Sequence, residues 1–64
     1  MKRIDFEKHL KRNDCLNYRE GGNHSIWVNK MNNKHTSIPR HNELSNITCK
    51  LICKQLEIPQ PDKF

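Results

Sequence analysis

The pattern of apolar and polar residues is helical near the start of the chain. Between Arg3 and Arg12 there is no glycine or proline, and Ile4, Phe6 and Leu10 recur at roughly helical spacing among charged residues. This spacing predicts a short amphipathic helix from Arg3 to Arg12.

A second helix is predicted towards the other end. Ser45 can cap its start by accepting hydrogen bonds from the first-turn amides, and the helix is expected to run to about Leu56. Its apolar residues form a single stripe: Cys49, Ile52, Cys53 and Leu56. Ile47 and Leu51 are expected to widen that stripe, and Ile58 to pack beside it.

The middle of the chain has the composition of strands joined by turns. Asn13 and Asp14 tolerate the left-handed conformation that ends helices. The segments expected to be extended are Cys15 to Tyr18, His24 to Asn29 and His35 to Pro39. A glycine turn from Arg19 to Asn23, a loop from Lys30 to Lys34 and a polar connection from Arg40 to Leu44 join the elements. The predicted fold is α+β, in the order α-β-β-β-α, with a three-stranded antiparallel sheet and two helices on one of its faces.

Two helices on one side leave the other sheet face open. Because side chains alternate along a strand, the residues of the second strand divide between the two faces. If Ser25 and Trp27 point to the helices, His24, Ile26 and Val28 lie on the open face. Two hydrophobic residues on an open face would indicate a partner surface. The alternative is that the strand faces its core the other way, with Trp27 half exposed.

The length and composition limit the domain organisation. A chain of 64 residues has room for one domain with a modest core, and 33% hydrophobic against 30% charged residues is at the polar end of the globular range. We predict one domain over residues 1–58. Pro59 to Phe64, which contains two prolines, is expected to be a loosely ordered tail.

The charge balance favours an anionic partner. Twelve Lys and Arg against seven Asp and Glu give a formal net charge of +5, which attracts phosphate or carboxylate surfaces. A basic surface that only keeps the protein solvated is the alternative. There is no apolar run typical of a secretory signal or a membrane span, so a cytoplasmic location is expected.

The three cysteines, Cys15, Cys49 and Cys53, are odd in number and show no CxxC spacing. Neither a disulfide framework nor a standard zinc site is therefore indicated, and buried reduced thiols are expected. A metal site formed by Cys49 and Cys53 on one helix face with His41 nearby is the less favoured alternative. No metal and no cofactor are predicted.

The candidate chemistry centres on His24, which directly follows the segment Gly21, Gly22 and Asn23. Free imidazole titrates at about pH 6.5 and can take or give a proton near neutrality. Glycines let the backbone turn sharply and let a bulky group such as a phosphate approach closely. A histidine in this setting, in a basic chain, is suited to cutting phosphodiester bonds.

Two further polar side chains follow the third strand, which Pro39 ends. Arg40 and His41 could meet RNA phosphates. Alternatively, Arg40 binds a carboxylate of the fold or of a partner, and His41 caps the loop. His9 and His35 are expected to be surface residues outside the site.

The chain resembles a known family in three segments. They are Gly22, Asn23, His24 and the aromatic Trp27, then the run Ile38, Pro39, Arg40 and His41, then Cys49 to Ile58. In these residues it is similar to the HicA toxins, which are small ribonucleases called mRNA interferases from toxin-antitoxin pairs. Their fold resembles a double-stranded RNA-binding domain in the order α-β-β-β-α. The resemblance covers nearly the whole chain.

The resemblance implies roles for particular residues. The family motif of a glycine, a small polar residue, the catalytic histidine, two variable positions and an aromatic falls on residues 22–27, so His24 takes the catalytic role. The residues expected to bind RNA are Gly22, Asn23, Ser25, Arg40 and His41. Many relatives have a second histidine where this chain has Ser25, and a glycine where it has Asp14.

The resemblance also implies a partner, a HicB-type antitoxin whose binding covers the catalytic histidine. The open-face residues His24, Ile26 and Val28 are the expected antitoxin interface. The hypothesis for function is that the chain cleaves single-stranded RNA without a metal, with His24 as general base or general acid and Arg40 stabilising the phosphorane. The alternatives are a non-catalytic RNA-binding module, in which His24 only contacts the ligand, and an interaction protein with an acidic partner.

Overall fold

The computed structural model describes residues 1–62 and has the predicted order of elements. They are helix α1 (Arg3–Arg12), strands β1 (Cys15–Gly21), β2 (His24–Asn29) and β3 (His35–Pro39), and helix α2 (Asn46–Leu56). The strands form one antiparallel sheet in the order β1-β2-β3. The prediction of an α+β fold in the order α-β-β-β-α is confirmed.

Strand β1 is longer than its sequence suggests. It was expected to end at Tyr18, but it continues to Gly21, and the turn is reduced to Gly22 and Asn23. Gly22 has a φ of +49°, in the left-handed region that glycine adopts without strain. The register shifts between Asn17 and Arg19, which is a β-bulge. Pairing with β2 resumes after the bulge and continues to Gly21, which pairs with His24.

The core lies between the helices and one face of the sheet. Its buried apolar residues are Phe6, Leu10, Cys15, Trp27, Ile38, Leu44, Cys49, Ile52, Cys53 and Leu56. Along β2, Ser25, Trp27 and Asn29 are buried, whereas His24 is exposed and Ile26 and Val28 are half-buried. The strand therefore has the predicted orientation, with His24, Ile26 and Val28 on the face away from the helices.

Each helix buries a narrower stripe than its pattern suggests. Ile4 on α1 and Ile47 and Leu51 on α2 are exposed by 62%, 73% and 53%. The expectation that Ile47 and Leu51 widen the core stripe is wrong, because each helix contacts the sheet along one side only. Ile58 packs against the core as predicted.

His9 is the main correction within the helices. It was expected to be a surface residue, but it is only 8% exposed and stacks on Phe6 with ring centroids 6.2 Å apart. Its Nε2 donates to the carbonyl oxygen of Pro59 at 2.7 Å. The segment predicted to be a loose tail thus begins with Pro59, which is hydrogen-bonded to α1. Lys63 and Phe64 lie outside the described residues.

The ends of the helices follow from local sequence. Ser45 Oγ accepts from the Thr48 amide at 3.1 Å, the predicted cap of α2. Glu57 adopts the left-handed conformation, and the Ile58 amide donates to the Cys53 carbonyl at 3.0 Å, which closes the helix. Asp14 ends α1 in the same conformation, with a φ of +65°.

The three cysteines are free and buried, as predicted. Burial raises the pKa of each thiol, and that of Cys53 rises to about 11. These thiols are therefore protonated core groups. Within residues 1–62, no group of three or more His, Cys, Asp or Glu is arranged to hold a metal ion, so Cys49, Cys53 and His41 do not form the alternative metal site. No helix in this part of the chain is long and apolar enough to cross a membrane.

Candidate active site

The start of β2 and the end of β3 meet at one end of the sheet. His24 pairs with Pro39 in the antiparallel register. Just beyond this pair, the amide of Arg40, which follows β3, donates to the carbonyl of Asn23, which precedes β2, at 3.0 Å. The register thus places the residues before His24 beside the residues after Pro39.

The N-terminal end of α1 closes the third side of this region. Lys2 forms an isolated antiparallel bridge with Glu43. The Arg3 amide donates to the Asn42 carbonyl at 2.9 Å, and the Leu44 amide donates to the Met1 carbonyl at 2.8 Å. These hydrogen bonds hold the polar connection after β3 against the start of α1.

The three segments surround an open cleft of about 760 Å³. It is lined by Arg3, Gly22, Asn23, His24, Pro39, Arg40, His41 and Asn42. Among these residues there are two guanidinium groups, two imidazoles and no carboxylate. Such a concave, cationic lining is suited to a phosphate group.

Most of the predicted site residues meet in this cleft. Gly22, Asn23, His24, Arg40 and His41 all line it. At Gly21 and Gly22 an added Cβ would meet nothing within 4 Å, so the space beside the turn is open. The glycine at position 22 therefore provides the turn geometry and leaves the cleft unobstructed on that side.

Ser25 does not line the cleft. Its side chain is only 4% exposed, on the helix face of the sheet, and its hydroxyl donates to Glu20 Oε2 at 3.2 Å. The prediction that Ser25 contacts RNA has no support in this placement, because alternate residues of a strand face opposite sides. Ser25 instead helps to hold Glu20.

Glu20 is a residue that the sequence pattern did not reveal. Because of the bulge, it pairs with Ser25 across β1 and β2. Its carboxylate accepts from Asn17 Nδ2 and Ser25 Oγ and lies 3.3 Å from a guanidinium nitrogen of Arg40. The Asn17 hydrogen bond contributes most to lowering the pKa of Glu20, and the charges of Arg40 and Arg3 add to it.

This ion pair bears on the two interpretations of Arg40, contact with RNA phosphates or with a carboxylate. The guanidinium binds a carboxylate of the fold, as the alternative interpretation held, yet its side chain is still 49% exposed and lines the cleft. An exposed pair of this kind stabilises the fold little. Because the Arg40 side chain remains accessible in the cleft, a bound anion can also reach its guanidinium.

Arg3 is the second residue that sequence reasoning missed. It reaches the cleft through the pairing of Met1 to Arg3 with residues 42–44, and its Nε lies 3.5 Å from Glu7 Oε2 within α1. Its position depends on contacts about 40 residues apart in the chain. No local pattern could have indicated it.

The open face of the sheet continues from the cleft. Ile26 and Val28 are half-buried there, and Val28 pairs with Leu16, which is 46% exposed. Tyr18, 66% exposed, lies edge-on to His35 with ring centroids 5.6 Å apart. The cleft thus opens onto an apolar band formed by Leu16, Tyr18, Ile26 and Val28.

Comparison with known proteins identifies the family. A family model described as the HicA toxin of bacterial toxin-antitoxin systems matches residues 4–58, which include α2, the whole sheet, and all of α1 and of the cleft lining except Arg3. The chain belongs to the HicA toxin family. Searches of curated proteins and of solved structures found no match. Membership of the HicA family supports a role for this chain as the toxin of a toxin-antitoxin pair.

Proposed function

We propose that this HicA-family chain is an endoribonuclease that cleaves mRNA, with His24 as its central catalytic residue. The observation that carries the proposal is the position of His24, exposed in a cleft with Arg3 and Arg40 and with no carboxylate in the lining. A cleft of this charge attracts an RNA backbone, and an imidazole can move the protons that cleavage requires.

The reaction that fits these groups is attack by a ribose 2′-hydroxyl on the adjacent phosphorus. His24 takes the proton from the 2′-oxygen while the new oxygen-phosphorus bond forms. Arg40 and Arg3 stabilise the negative charge that builds up on the phosphorane oxygens. The bond to the 5′-oxygen then breaks and that oxygen takes up a proton from a second donor group, which leaves a 2′,3′-cyclic phosphate and a 5′-hydroxyl. No step requires a metal ion.

Single-stranded RNA is the proposed substrate. Attack by the 2′-oxygen needs the attacking and leaving oxygens in line with the phosphorus, and a flexible strand can adopt that geometry. The cleft is open at the surface, so an extended strand can enter it without threading. The proposed site of action is the cytoplasm, where mRNA is found.

A HicB-type antitoxin is the proposed protein partner. The apolar band of Leu16, Tyr18, Ile26 and Val28 lies on the same face as His24. An antitoxin seated on this band would bury apolar area and also cover the cleft. Binding of the partner and exclusion of RNA would then be one event.

The test is cleavage of a long unstructured RNA, with a chelator present, by the wild-type chain and by His24→Ala. His35→Ala is the matched control, because His35 is an exposed strand histidine that does not line the cleft. We expect wild type and His35→Ala to cut, and His24→Ala to lose at least about 100-fold in rate.

Two results would contradict the proposal. If no variant cuts but all bind RNA in a salt-dependent way, the chain is a non-catalytic RNA-binding module. If His24→Ala cuts as fast as wild type, His24 is not the catalytic residue. Circular dichroism confirms beforehand that all three proteins are folded.

A further inference from the structure

Cleavage by a 2′-hydroxyl requires two proton transfers on opposite sides of the phosphorus. One group removes the proton of the attacking oxygen, and another protonates the leaving 5′-oxygen. His24 cannot do both in one step. This inference rests on the proposed ribonuclease function and concerns the second group.

The structure brings one other titrating side chain of suitable chemistry into the cleft. His41 lines it together with His24, from the connection after β3. Its backbone is held on both sides, because the Arg40 amide donates to the Asn23 carbonyl at 3.0 Å and the Asn42 carbonyl accepts from the Arg3 amide at 2.9 Å. The His41 side chain is therefore presented from a fixed segment, although it is exposed.

The histidines of the chain fall into two pairs by their contacts. His9 donates to the Pro59 carbonyl, and His35 lies against Tyr18. Within residues 1–62, the side chains of His24 and His41 have no hydrogen bond, ion pair or ring contact. The alternative in which His41 only caps the loop is therefore not what the structure has.

The charged and titratable groups around His41 come from three segments. Arg3 approaches from α1, Arg40 precedes it, and His24 faces the cleft from β2. The nearby carboxylates pair with cations other than His41: Glu7 with Arg3, Glu20 with Arg40, and Glu43 with the Met1 ammonium at 3.4 Å.

The two imidazoles have different neighbours in the cleft lining. Arg40 precedes His41 in the chain, so a phosphate bound by Arg3 and Arg40 would lie next to the His41 side chain. His24 is flanked by Gly22, Asn23 and Pro39, none of which is charged.

We propose that His41 is a second catalytic residue and acts as the general acid. While His24 accepts the 2′-hydroxyl proton and the 2′-oxygen bonds to phosphorus, protonated His41 donates its proton to the 5′-oxygen as the phosphorus-oxygen bond breaks. The products are the cyclic phosphate and the 5′-hydroxyl. His24 ends protonated and His41 neutral, so the protons balance.

The test compares two substrates in which only the leaving atom differs. One is a short RNA cut at a mapped site, and the other carries sulfur in place of the bridging 5′-oxygen at that site. A thiolate leaves without being protonated, so the sulfur substrate has no need of a general acid.

We expect His41→Ala to lose about 100-fold or more in kcat on the oxygen substrate, with little change in KM. On the sulfur substrate it should cut at nearly the wild-type rate. His24→Ala should be slow on both substrates, and His35→Ala should match wild type on both.

The pH profile supplies a second readout. A general acid must be protonated, so wild-type activity on the oxygen substrate should fall again at high pH. In His41→Ala that fall should disappear.

The outcomes separate the two hypotheses. An equal loss of activity on both substrates would make His41 a binding or structural residue, and unchanged activity would give it no role. Either result overturns this inference and leaves the ribonuclease function intact. If wild type cuts neither substrate, the proposed function itself fails.

Discussion

The two faces of the sheet have opposite character, although the same strands form both. On the helix face, Ser25, Trp27 and Asn29 of β2 are buried against the core. On the open face, the alternating residues His24, Ile26 and Val28 are exposed or half-buried beside the cleft. Alternate residues of β2 therefore form part of the core, and the residues between them face the candidate site and the open surface.

This difference shows how a chain of 64 residues can have both a core and a functional surface. Because the side-chain period of a strand is two, a register slip of one residue would move Trp27 to the solvent and His24 into the core. Burial of Trp27 and Ile38 fixes that register. The core thus determines where His24 points.

The largest expected difference between the two faces comes from placing the same charge on each of them. Ile38→Lys puts an ammonium group at a fully buried position and should prevent folding, since losing the isoleucine alone costs about 2–5 kcal/mol. Ile26→Lys, on the open face, should change the free energy of unfolding by about 1 kcal/mol or less. Urea denaturation of both variants measures this.

Ile26→Lys also tests the proposed antitoxin interface. Ile26→Lys should weaken binding of the HicB-type antitoxin by at least about tenfold, because a desolvated charge would enter the apolar contact. Thr36→Ser, on the helix face, is a folded control that should bind normally. Equal losses of stability and binding in Ile26→Lys would place Ile26 in the core.

A smaller effect is expected in the helix layer, at His9. His9→Ala removes the stacking on Phe6 and the hydrogen bond to Pro59, which should lower the free energy of unfolding by about 1–2 kcal/mol. Cleavage and RNA binding should not change, because His9 does not line the cleft. A fully stable His9→Ala variant would contradict the observed burial.

The smallest expected effect concerns Glu20, whose carboxylate pairs with Arg40 beside the cleft. Its folded pKa lies below the ordinary value of 4.5, so its contribution to stability is present above about pH 4.5 and is lost as the pH falls through the lower folded value. Glu20→Gln lacks this contribution. Wild-type stability should therefore fall more steeply on acidification than that of the variant, as measured by urea denaturation across this range. Parallel curves would show that the carboxylate is not stabilised in the fold.

Local patterns predicted the elements well. The bounds of α1, β2 and β3 follow from the periodicity and the breakers that flank them, and the cap at Ser45 predicted the start of α2. The orientation of β2 followed from its alternation. These features depend on residues close together in sequence, which is why a single sequence reveals them.

The features that were missed depend on distant contacts. The bulge in β1 moves Glu20 to the helix face, where it meets Arg40. The bridge between Lys2 and Glu43 brings Arg3 to the cleft, and the Pro59 carbonyl gives buried His9 a partner. In each case the contacting residues are far apart in sequence or the strand register is irregular. A periodic pattern of residues therefore cannot predict the contact.

The most direct test of the central claim is the chemistry of the cut ends. Purified wild-type protein is incubated with a long unstructured RNA and chelator, and the termini of the fragments are determined. The account predicts 2′,3′-cyclic phosphates and 5′-hydroxyls, which only attack by the neighbouring 2′-hydroxyl produces. Fragments ending in 3′-hydroxyls and 5′-phosphates would show that water attacked the phosphorus, and would contradict the proposed roles of both His24 and His41.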